Sequence, residues 1–125
     1  MSDVWTIERH LEAGSTEGRA LFERFVEIVA ACGDYTTSVA KTTITFKGPR
    51  RGFAGARPAG DRLQGYFDVN YRVDDPRIRS VAPYQRDLFV HHFRVDSAEQ
   101  LDGEFARWIA DAYDQVGRGN RPGRR

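Results

Sequence analysis

The sequence predicts an α+β fold: a single antiparallel β-sheet of about five strands, with N-terminal and C-terminal helices packed on one face. Two observations carry that expectation. Apolar residues recur at helical spacing near both ends of the chain, and the stretch between them alternates apolar with polar residues as strands do. The 125 residues suit one domain, with 40% hydrophobic and 30% charged residues, a balance that excludes a disordered chain. That domain is expected over residues 1–117, with 118–125 as a disordered basic tail lacking any apolar residue to fold around.

A short helix is expected from Trp5 to Leu11, with Thr6 as its cap and Gly14 as its stop. Ser15 or Thr16 opens a second helix to about Cys32, whose buried stripe is Leu21, Phe25, Ile28, Val29 and Cys32, widened by Phe22 and Val26. Strand-like runs follow at Tyr35 to Val39, Thr42 to Lys47, Arg51 to Arg57 and Leu63 to Tyr71. Asp74, Asp75 and Pro76 read as a turn or a single helical turn, and Leu88 to Val95 as the last strand. Within these runs Ile44, Phe46, Phe67, Val69, Phe89 and Phe93 are expected to face the helices. Ser97 and Gln100 have capping-box spacing ahead of a closing helix, Leu101 to Val116, stopped by Gly117.

No segment approaches the ~20 apolar residues that span a bilayer, so no membrane partner is expected. The opening residues lack the basic start and apolar core of a secretory signal, and Cys32 is the one cysteine. A cytoplasmic location follows as the expectation.

Charge is unevenly spread. Residues 1–40 carry three arginines and seven acids, net −4; residues 41–94 carry eleven basic residues and five acids, net +6. Residues 95–117 carry one arginine and six acids, net −5, and the tail adds +4, within a total of +1. The duller reading is that acidic helices neutralise a basic sheet. The sharper one is that the strand region binds an anionic small molecule or nucleic acid. Lys41, Lys47, Arg50, Arg51 and Arg57 are its candidate ligands, with Arg50, Arg51, Arg57 and Arg62 clustered around one expected hairpin. Tyr66 and Tyr84 could add stacking surfaces.

A second reading is a small enzyme or small-molecule receptor with a pocket around His92, Arg94, Asp68 and Lys41. Consecutive strand residues point to opposite faces, so His91 and His92 cannot easily share a metal. His91 falls with Phe89 and Phe93 on the core side, and His92 with Arg94 on the open side. Asp68 projects with Tyr66 and Asn70 from the neighbouring strand, where a solvated polar side chain is the default. Cys32, at a helix end among apolar residues, reads as a buried inert thiol. A third reading makes the open sheet face a homodimer interface. No metal or cofactor is implied, since no CxxC pair, HExxH, phosphate loop, dinucleotide fingerprint or nucleophile elbow occurs.

The segments WTIERHL, KTTITFK, RGFAGARP, DPRIRSV, FVHHFRV and LDGEFARWIADAY, in that order, resemble the bacterial family called domain of unknown function 5655. The resemblance runs from Trp5 to Tyr113 and implies a fold and a bacterial source, without an activity or catalytic residues. Some members carry an added zinc-binding segment in front, with paired cysteines; these residues do not include it, so the resemblance implies no zinc role for them. In layout alone, the chain is also similar to MmcQ/YjbR-like proteins, whose helices flank a mid-chain antiparallel sheet.

Overall fold

The computed structural model describes residues 5–120 except Arg86. The chain runs α1 (Ile7–Glu12), α2 (Thr16–Ala30), β1 (Thr36–Val39), β2 (Ile44–Lys47), β3 (Gly52–Ala59), β4 (Arg62–Val69), β5 (Ile78–Pro83), β6 (Phe89–Val95) and α3 (Gly103–Ala112). All six strands form one antiparallel sheet in the order β1-β2-β3-β4-β6-β5. The fold class is the α+β expected, with one strand more. The extra strand, β5, lies at the sheet edge and is mostly exposed.

Each α-helix starts on a side-chain cap that takes up an otherwise unpaired backbone N–H. Thr6 accepts from Arg9, Ser15 from Gly18 and Asp102 from Phe105. The Ser97–Gln100 pair therefore caps something smaller than expected, a single 3-10 turn over Ala98–Gln100, and the α-helix itself begins at Gly103. At its far end α3 loosens into a π-type turn, Tyr113–Gly117, that grips the sheet. Gln115 Oε1 accepts the Asn70 N–H at 2.8 Å, and the Arg50 N–H donates to the Gly117 carbonyl at 2.7 Å. Part of the expected tail is tied down here. The Arg118 N–H donates to the Tyr113 carbonyl and the Asn120 N–H to that of Asp114. The remaining tail, residues 121–125, lies outside the described residues.

The core forms where α2 and α3 meet one face of the sheet. Leu21, Phe22, Phe25, Ile28 and Val29 of α2 and Phe105, Trp108, Ile109 and Ala112 of α3 are buried with Ile44, Phe46, Phe67, Val69 and Phe93 of the strands. Phe89, expected among them, is half-buried, with the Arg72 guanidinium 4.7 Å from its ring centre. Helix α1 is more peripheral. Its buried His10 makes a 2.6 Å contact from Nε2 to the Ala40 carbonyl at the β1–β2 turn.

Strand order makes one demand of the chain. β6 lies between β4 and β5, so residues 70–77 must cross over it to start the edge strand. They cross on the helix side, where His91 and Arg77 are among the side chains that hold them. His91 is fully buried, stacked on Phe67 with centroids 4.8 Å apart. Its Nε2 accepts the Val73 N–H at 3.0 Å, and its Nδ1 lies 3.1 Å from the Phe89 carbonyl. That pattern needs a neutral ring with the proton on Nδ1, and burial lowers the His91 pKa in the same sense. Arg77 is 8% exposed over the Trp108 ring. It pairs with Asp75, Asp102 and Glu104 at 2.8, 2.9 and 2.7 Å.

Candidate functional site

The face of the sheet opposite α2 and α3 has no described element laid over it. Strand register sets its contents: Ser38, Thr45, Gly55, Tyr66, His92 and Ser80 form one row across all six strands. Tyr66 lies flat along this row because Gly55 has no side chain. A Cβ there would meet Tyr66 Cε1 at 2.4 Å. The phenol reaches two strands away, to 3.2 Å from the Thr45 hydroxyl. Tyr66→Phe is therefore expected to lose about 0.5–1 kcal/mol. In urea denaturation, Thr45→Val should lose about as much, and the double variant little more than either.

Two open clefts adjoin on this face and share Tyr66 and His92. The larger, about 590 Å3, is lined by Thr42, Thr43, Arg57, Gln64, Gly65, Tyr66, Arg79, His92, Phe93 and Arg94. No carboxylate is in that lining, and no described residue gives Arg57, Arg79 or Arg94 an ion pair. The smaller, about 410 Å3, is lined by Arg51, Gly52, Tyr66, Asp68, Tyr84, Val90 and His92.

Asp68 is the unusual group. Alternation places it on the polar face, as expected, but it is only 5% exposed instead of solvated. Its Oδ1 is sealed from water and has no hydrogen-bond partner among the described residues. Burial pushes its carboxyl up to about 6, with the Arg51 charge pulling the other way. Burial also raises the Tyr66 phenol, with the Asp68 and Tyr84 charges adding to it against the Thr45 hydrogen bond.

Of the residues expected to bind, Arg51, Arg57, Asp68, His92 and Arg94 line the two clefts; Lys41, Lys47 and Arg50 line neither. The expected arginine cluster is divided. Arg50 and Arg51 precede β3, while Arg57 and Arg62 flank the turn at its other end. Arg79 and Tyr84 come from β5 and its end, the one strand not read from the sequence; Tyr84 is 54% exposed. Among the described residues, one arginine of the strand region meets acids of the closing segment: Arg77, on the helix side, gathers the carboxylates of Asp102 and Glu104. The open-face arginines point away from α2 and α3. Cys32 is half-buried, its thiol raised by burial and donating to the Ile28 carbonyl at 3.4 Å. Among the described residues no three His, Cys, Asp or Glu side chains gather as a metal site, and no helix is long and apolar enough to cross a membrane.

Fold and site together define an α+β protein whose antiparallel sheet is covered by helices on one side and lined with arginines on the other. The chain belongs to the family described as Domain of unknown function (DUF5655), whose model matches residues 7–116. No curated protein and no solved structure matches it.

Proposed function

We propose that the chain is a binding module that holds a phosphate-bearing anion on the open face of its sheet. One observation carries the reading: Arg57, Arg79 and Arg94 converge on a single open cleft with no carboxylate in its lining. A guanidinium offers several donors in a fixed fork that suits phosphate oxygens. The cleft's volume of about 590 Å3 suits a small ligand. His92 has no carboxylate hydrogen-bonded to it among the described residues, and both clefts are open, which favours binding over acid–base catalysis.

Isothermal titration with inorganic pyrophosphate tests this. Binding is expected at low salt, to weaken as salt is raised, and to fall at least about tenfold in the Arg57→Ala/Arg94→Ala double variant. No binding at low salt, or binding indifferent to that variant, sinks the reading. A second reading, single-stranded nucleic acid, is supported by Tyr66 and Tyr84 on the same face, since strand binders stack bases on aromatic rings. Fluorescence anisotropy with short oligonucleotides at two salt concentrations checks it.

A further inference from the structure

We infer that the Asp68 cleft reads the base of a nucleotide, guanine in preference to the other bases, while the arginine cleft holds its phosphates. The inference rests on the phosphate reading above and names the ligand.

Asp68 lies in the smaller cleft between Arg51, Tyr66, Tyr84 and His92, on the face that also carries the arginines. A buried carboxylate oxygen with no donor is an unfavourable arrangement within the protein alone. An ionised carboxylate only accepts hydrogen bonds. It therefore selects an edge made of donors. Guanine presents two adjacent donors, its ring N1–H and its 2-amino group. Adenine and cytosine present one amino donor beside a ring nitrogen acceptor. Uracil presents one N–H flanked by two carbonyls, which a carboxylate repels. Tyr66 and Tyr84 provide ring faces beside that edge, and stacking on them is indifferent to which base is bound.

The strands also supply a ruler. Asp68 pairs with Val90, whereas Gln64 pairs with both Arg94 and Arg57. Those rows are four residues apart along β4, roughly 13 Å at the strand's rise per residue. An extended nucleoside diphosphate, met by the arginine side chains, bridges that interval within two clefts that already share Tyr66 and His92.

The test titrates the full chain with GDP, ADP, CDP, UDP and inorganic pyrophosphate, and repeats the series with Asp68→Asn. GDP is expected to bind at least about tenfold more tightly than UDP, with ADP and CDP between, and the difference to shrink to about twofold in Asp68→Asn. Pyrophosphate should compete with GDP and be little affected by Asp68→Asn. GDP and UDP binding equally, with pyrophosphate competing, overturns the base reading and leaves the phosphate reading standing. A GDP affinity left unchanged in Arg57→Ala/Arg94→Ala overturns the phosphate reading instead. Binding of oligonucleotides with no binding of free GDP overturns the nucleotide assignment, and no binding of any probe overturns both.

Discussion

Replacing Phe105 by alanine is expected to destabilise the protein by about 3–5 kcal/mol, the usual range for emptying a fully buried aromatic site. The ring is fully buried in α3, among side chains of α2, β4, β6 and its own helix. Its centroid lies 5.0 Å from that of Phe93 on β6, 6.3 Å from Phe67 on β4, 6.2 Å from Phe25 on α2 and 5.8 Å from Trp108 on its own helix. Four directions of contact leave the surrounding chains no simple way to collapse into the space. A cavity is therefore expected to persist, at a cost above that of the lost apolar area. Chemical denaturation measures it; a loss well under 1 kcal/mol would mean that α3 does not close the core.

Asp68→Asn should act in the opposite direction and stabilise the protein by about 2 kcal/mol at neutral pH. The wild-type carboxyl titrates near 6, above its ordinary 3.8. Between those values the folded protein holds a proton that the unfolded chain has released. Stability contributed by Asp68 is thus complete below pH ~4, falls as pH rises through the window, and is lost above about 6. Asparagine does not ionise, so its advantage should appear progressively over the same window and vanish below pH ~4. The Arg51 charge is already part of that balance, and the full shift sets an upper bound on the gain. Melting temperatures of the two proteins at pH 4, 5, 6 and 7 check this. A constant difference across that range would mean that Asp68 is solvated.

Legibility in the sequence followed the range of the interaction. The stripe of α2 and the alternation of β2, β4 and β6 are local, and they placed the core, the polar face and the opposed directions of His91 and His92. Missing from that reading was β5, because Pro76, Arg77, Arg79 and Pro83 break its pattern and an exposed edge strand needs no apolar face. Arg79 was lost from the site with it, while Tyr84 reads as a stacking surface but not as a neighbour of Asp68. The burial of Asp68 was also out of reach. Its place on the polar face is a matter of parity, but its neighbours in the cleft include Arg51 and Tyr84, from residues far away in sequence. The start of α3 shows how a correct local signal can serve a different element. Ser97 and Gln100 do form a box, and Asp102, with its carboxylate on the Phe105 N–H, caps the helix proper.

The crossing of residues 70–77 over β6 has a consequence for how the chain acquires its shape. Strands β1 to β4 are successive hairpins and can assemble as they emerge, but β5 has no neighbour until a later segment has been placed between it and β4. Until Phe89–Val95 is inserted, β4 presents an unpaired edge with Phe67 and Val69 uncovered on one side. The closing step therefore joins distant segments, the kind of contact that slows folding, and it leaves a sticky edge waiting meanwhile. His91 takes part in that step directly, since its ring can accept the Val73 N–H only once the inserted strand and the segment crossing it are both in position.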